Sequence, residues 1–167
     1  SGCMLYSGEY GKPFGFVPAS GSGDNGVLVV LEAAGEEEEL NGTPTCGRAG
    51  QYLWTQLQRV GIERDGFRVH NCLSCRPPGN RLIKQPYTEQ AIAHCAPNLD
   101  ATIYTHTQHC REIGKTPVIV ALGKFAFKRR GRSHLLMQKN KRQKRLSRVI
   151  IANKRDIRRL QGVLPNL

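Results

Sequence analysis

The sequence predicts an α/β protein built on a parallel sheet, followed by a basic, partly helical C-terminal extension. Three observations predict this. The runs Val27–Leu31 and Pro117–Gly123 are short and almost continuously apolar, as strands buried on both faces are. Helical spacing occupies the segments between strand candidates, and strand–helix–strand alternation implies parallel strands joined by crossovers. Charge is also sharply divided: residues 1–122 carry 10 Lys and Arg against 12 Asp and Glu, while residues 123–167 carry 15 against 1. The expected organisation is therefore a body over 1–122 and a polyanion-binding segment over 123–167.

Along the chain, a Gly/Pro/Ser-rich loop over Gly11–Gly26 holds Phe14 and Phe16 and leads into the first strand. The acidic stretch Glu36–Glu39 that follows reads either as a solvated turn or as a loop at a strand's carboxyl end, where open α/β sheets place their sites. Residues 47–60 space Tyr52, Leu53, Leu57 and Val60 on one helical face, with Gly61 as a stop. A second strand, Phe67–His70, runs into Asn71–Cys75 and the loop Arg76–Arg81, whose two prolines forbid regular pairing. A helix from Thr88 through Asp100 and beyond puts Ile92, Cys95 and Leu99 on one face. Sites are expected at the strand ends.

A length of 167 residues suits one domain, or one domain with an appendage. No run approaches the roughly 20 apolar residues that span a bilayer, so no membrane association is expected. Nothing resembles a secretory leader, and six cysteines without one point to a reducing compartment, either cytoplasm or an organelle's matrix or stroma. Grouped thiols there more often mean metal or redox chemistry than disulfides. The formal charge of +12 suggests a nucleic-acid partner, and nothing in the sequence bears on oligomeric state.

Several strings carry a resemblance. Cys3–Tyr6, Gly15–Pro18, Glu32–Glu37, Pro44–Gly50, Asn71–Arg81, His94–Pro97 and Val118–Gly123 occur in the order found in the family-four iron-sulfur uracil-DNA glycosylases, over about residues 1–127. The string NxxxCRPPxNR is the specific one. The resemblance implies a three-layer parallel sheet of the uracil-DNA glycosylase type, here truncated. It also implies flipping of uracil from DNA and hydrolysis of its N-glycosidic bond by water.

On that resemblance Asn71 reads the uracil edge, because a side-chain amide both donates and accepts, and Glu32 and the backbone around Gly35 line the water and phosphate side. Glu32 beside four further acids equally suits ordinary solvated surface. Thr45 and Gly47 fall on the base-binding wall, where Thr45 and Cys46 occupy the places at which the family has an aromatic that stacks on the uracil face. Stacking there is worth about 1–3 kcal/mol per base. The first motif also departs at Leu31 and Ala34, and the strand-end histidine that stabilises the leaving oxygen has no counterpart. Impaired excision is the expectation.

Of the family's four 4Fe–4S thiolates, Cys3, Cys75 and Cys95 match three, and the fourth position falls immediately before Ser1. Cys46, Cys72 and Cys110 have no family role and read as packed thiols, with Cys72 close enough in sequence to substitute as a ligand.

The basic segment resembles the C-terminal two-thirds of bacterial and plastid large-subunit ribosomal protein thirty-five. The resemblance rests on Ser133–Leu136, on the K-x-K-R-x-K-R spacing over Lys139–Arg145, and on the closing Leu164–Pro165. It implies RNA contacts by Lys128, Arg129, Arg130, Arg132, His134, Lys139, Lys141, Arg142, Lys144, Arg145, Arg158 and Arg159. A short helix from Asn153 would carry Arg155, Arg158 and Arg159. Two functions thus stand: a uracil-DNA glycosylase-type domain with a nucleic-acid-binding tail, acting on uracil-containing DNA, or a non-enzymatic rRNA-binding protein of the large ribosomal subunit with an N-terminal extension.

Overall fold

The computed structural model describes Cys3, Leu5, residues 15–126 and the backbone of 148–152. Four parallel strands, β1 (Val27–Ala33), β2 (Arg68–Leu73), β3 (Val118–Leu122) and β4 (Arg148–Ala152), form one sheet in the order β2-β1-β3-β4. Val29 of β1 stands opposite Val69 and Val120, and Val120 stands opposite Ile150. The two apolar runs of the sequence become the two interior strands, which have neighbours on both edges and helices on both faces.

Strand alternation then sorts the core. Val27, Val29, Val69, Val118 and Val120 pack with Leu53 and Leu57 of helix α2 (Arg48–Gln58) on one face. Leu28, Val30, Cys72, Ile119 and Ala121 pack with Leu99 and Ile103 of helix α3 (Thr88–Glu112) on the other. The result is the expected three-layer α/β arrangement.

Three details differ from expectation. Glu36–Asn41 is neither turn nor loop but a short helix, α1. Four glutamates in its first turn favour the positive helix end, and Gly42 closes it in the left-handed conformation (φ 63°). On α2 only Leu53 and Leu57 are buried with Gly50, while Tyr52 and Val60 face solvent, so the core stripe is narrower than the periodicity suggested. On α3 the buried register runs through Ala91, Cys95, Leu99 and Ile103, leaving Ile92 half-buried.

Strand β2 also extends past His70 to Leu73, which places Asn71 inside the sheet rather than in the following loop. β4 lies within the stretch read in the sequence as basic extension, so part of 123–167 belongs to the same sheet as the body. Lys128–Arg145, Arg158, Arg159 and the short helix expected from Asn153 fall outside the described residues.

Candidate functional site

A cavity of about 490 Å³ opens at the carboxyl ends of β1 and β2. Leu31 and Ala33 line it from β1, Gly35 from the turn after β1, and Glu36, Glu37 and Glu38 from α1. Thr45, Gly47, Arg48, Ala49 and Gly50 close it at the start of α2, Asn71 enters from β2, and Asn80 enters from the proline loop.

Asn71 shares a face with Val69 by strand alternation and is only 3% exposed. Its Nδ2 has no hydrogen-bond partner within the described residues. An orphaned buried donor is rare in folded proteins, and at a cavity wall it is available to whatever enters the cavity. His70 faces the other way, toward Ser74 Oγ at 3.4 Å, and burial holds its imidazole down to a pKa of about 4.

Glu38 organises the walls. Its Oε2 accepts the Gly35 N–H at 3.0 Å and its Oε1 accepts the Gly47 N–H at 2.8 Å, so one carboxylate joins the starts of α1 and α2. The two glycines predicted to meet substrate do border the cavity, but their N–H groups are already engaged. An acid three residues after a helix-starting position is a capping-box signal, and it was available in the sequence.

Thr45 is buried and left-handed (φ 63°). Its hydroxyl donates to the Pro44 carbonyl at 2.6 Å and accepts Trp54 Nε1–H at 3.0 Å. Arg64 donates to the same carbonyl at 3.0 Å and lies 5.5 Å from the Trp54 ring centroid. Asn80 is held by Arg76, whose Nε donates to Asn80 Oδ1 at 2.9 Å while its Nη1 meets Glu36 at 3.3 Å and Glu39 at 3.4 Å.

Glu32 does not line this cavity. Its Oε1 accepts the Phe125 N–H at 3.0 Å, tying the end of β1 to the turn after β3. Gly123 (φ 102°) permits that approach, since a Cβ there would collide with the Glu32 carboxylate. Asn71, expected to read the base edge, borders the cavity, and Glu32, expected on the water and phosphate side, is engaged by the turn after β3.

Cys3, Cys75 and Cys95 share one buried apolar cluster with Leu73, Leu82 and Tyr87. Burial, reinforced by the charges of Cys95 and Cys3, pushes the Cys75 thiol up to about 12. None of the six cysteines forms a disulfide, and among the described residues no three His, Cys, Asp or Glu side chains are set at metal-holding distances. The thiols therefore fit an iron-sulfur group in residue type and location, though not in ligating geometry. Cys72, considered as a substitute ligand, packs instead with Leu28, Val30 and, from α3, Leu99 and Ile103, in a cluster separate from that of the other three thiols.

A profile of the uracil DNA glycosylase superfamily matches residues 18–156. The chain belongs to that superfamily. The superfamily match includes both cavity-bearing strands and continues through β4, past position 122. Among relatives, the type-4 uracil-DNA glycosylase of Archaeoglobus fulgidus is 34% identical over 111 residues, which is 66% of this chain and 50% of that protein. The type-4 uracil-DNA glycosylase of Thermotoga maritima is 39% identical over 111 residues, 66% of this chain and 52% of that protein. That of Sulfurisphaera tokodaii is 34% identical over 113 residues, 67% and 46% respectively. The chain spans about half the length of these relatives. As a superfamily domain it carries its cavity where open α/β sheets place their ligands, outside the carboxyl ends of the strands. Among the described residues no helix is long and apolar enough to cross a membrane.

Proposed function

We propose that this superfamily domain acts on uracil-containing DNA, hydrolysing the N-glycosidic bond of a base extruded into the cavity. The observation that carries the reading is the orphaned Asn71 amide at the cavity wall. Nδ2 donates to a base carbonyl and Oδ1 accepts a ring N–H, a pair that matches uracil and mismatches cytosine. Water then attacks C1′ as the base departs with the bonding electrons.

Excision of uracil is slow in this reading. The departing uracil is an anion, and among the described residues three carboxylates line the cavity against one guanidinium, Arg48. No aromatic ring lines the cavity among the described residues, so stacking is also missing. Phosphate contacts come from the basic segment after Gly123, whose charge at this density neutralises several phosphates. If an iron-sulfur group is bound, Cys3, Cys75 and Cys95 hold it. The group would cross-link the N-terminal segment to the β2 exit and α3 and take no part in chemistry.

The test is single-turnover cleavage of uracil-containing single-stranded and duplex oligonucleotides by the whole chain and by Asn71→Asp. Slow uracil release by the native chain, with the variant's preference moved toward cytosine, supports the reading. Robust excision indifferent to Asn71 overturns the residue's role.

A further inference from the structure

We propose that the cavity takes hypoxanthine, the deaminated form of adenine, in addition to uracil, and that Thr45 is the residue that admits it. This rests on the N-glycosidase reading above and extends the same site to a two-ring base with the same hydrogen-bonding edge.

The Asn71 amide supplies the reading of that edge. It is 3% exposed, and its Nδ2 has no partner within the described residues, so a base that enters the cavity can bring an acceptor to it. Uracil brings O4 beside N3–H, and hypoxanthine brings O6 beside N1–H in the same relative positions. Adenine presents an amine and a bare ring nitrogen there, the opposite polarity, and is refused as cytosine is. Guanine shares the edge, but its full pairing with cytosine resists extrusion. Hypoxanthine opposite thymine is a mismatch and leaves the stack more easily.

Thr45 supplies the width. It is a β-branched residue held left-handed (φ 63°), a conformation such residues rarely adopt. Strain of this kind persists where the surroundings over-determine it, and it concentrates at ligand sites. Here the Thr45 hydroxyl donates to the Pro44 carbonyl at 2.6 Å and accepts Trp54 Nε1–H at 3.0 Å. Arg64 fixes the same carbonyl at 3.0 Å, and Trp54 meets Phe67 edge-on with ring centroids 5.4 Å apart. The Thr45 peptide lies on Gly50, where a Cβ would collide with it. A small side chain is thus locked into a wall that carries no aromatic ring among the described residues, around a cavity of about 490 Å³. That volume lies within the range of small-molecule sites and admits two fused rings.

The reaction balances as it does for uracil. Breaking the C1′–N9 bond leaves its electron pair on the base. Water adds its oxygen to C1′ and gives up a proton, and the departing base anion takes a proton from solvent at a ring nitrogen. Free hypoxanthine and an abasic sugar result, with water as the one co-reactant.

Duplexes carrying hypoxanthine opposite thymine, uracil opposite guanine, or adenine opposite thymine are incubated with the whole chain, with Thr45→Phe and with Trp54→Phe, and base release is followed under single turnover. The native chain is expected to release hypoxanthine and uracil and to leave adenine in place. Thr45→Phe should lower hypoxanthine release roughly tenfold and raise uracil release, because the ring takes the space of the second ring and stacks on the first. Trp54→Phe keeps an aromatic ring but removes the N–H that holds Thr45, and should lower hypoxanthine release about fivefold relative to uracil, which decides the matter if Thr45→Phe does not fold. A structural role alone would lower both substrates equally, and an unchanged ratio overturns the assignment of Thr45. Uracil release without hypoxanthine release, or adenine release equal to that of hypoxanthine, overturns the proposal and leaves the N-glycosidase reading standing. If neither uracil nor hypoxanthine is released, that reading fails, and calorimetric titration with nucleosides decides what the cavity takes. Inosine bound more tightly than adenosine, with the difference lost in Thr45→Phe, then supports the proposal, and equal binding overturns it.

Discussion

The Glu38 carboxylate accepts the Gly47 N–H at 2.8 Å, joining positions nine residues apart and fixing the start of α2 against α1. The same group holds the Gly35 N–H at 3.0 Å. Replacing Glu38 with Ala leaves two part-buried donors without their acceptor. We expect a loss of about 1–3 kcal/mol in urea unfolding, with Glu38→Gln retaining part of it because one carbonyl oxygen remains. Equal stability of all three proteins would show that the clamp contributes nothing.

His70 makes stability depend on pH. Its imidazole is held neutral down to about pH 4 in the fold, whereas the unfolded chain takes up a proton near 6.5. The unfolded state therefore binds more protons between those values. The His70 contribution is full above about pH 6.5, falls as the pH drops toward 4, and levels off below it, by about 3 kcal/mol. Chemical denaturation across pH 4–8 should show this slope, and His70→Gln should reduce it, leaving the part owed to His106, whose pKa burial also lowers. A slope unchanged by the substitution would assign the dependence elsewhere.

For the thiols, Cys75→Ser and Cys95→Ser are expected to lower iron and sulfide retained after anaerobic reconstitution, whereas Cys72→Ser is expected to leave both unchanged. The distinction follows from packing: Cys75 and Cys95 lie in the same cluster as Cys3, whereas Cys72 lies in a separate cluster with Leu28, Val30 and Ile119. Iron loss in Cys72→Ser equal to that in Cys75→Ser would contradict it.

Nucleic-acid affinity should follow the charge of the basic segment. Because β4 belongs to the sheet, deleting everything after 128 would remove a strand along with the charge. Replacing Lys139, Lys141, Arg142, Lys144 and Arg145 with Gln isolates the electrostatic effect. For each phosphate that the variant no longer neutralises, the slope of log affinity against log salt should shrink by about 0.9 on duplex DNA. Gel-shift titrations at several salt concentrations measure it, and an unchanged slope would move the phosphate-binding surface to the body.

Much of the architecture is legible in the residues themselves. Consecutive apolar residues mark β1 and β3 because an interior strand of a parallel sheet meets a helix on each face. The spacing of Leu53 and Leu57 marks α2, and the residue string around Asn71 marks the edge of the site. Local chemistry decides these features, so local sequence reveals them. Tertiary structure alone decided which neighbours in sequence part company. Period-two alternation turns Asn71 to the cavity, and His70 and Cys72 away from it. The turn after β3 draws Glu32 off the cavity, while Glu38, Thr45 and Asn80 converge on it from three separate segments. The pairing of β4 beside β3 likewise depends on a long-range ladder that a stretch dense in Lys and Arg does not announce. Convergence of this kind is fixed by how the layers pack, and no window of sequence contains it.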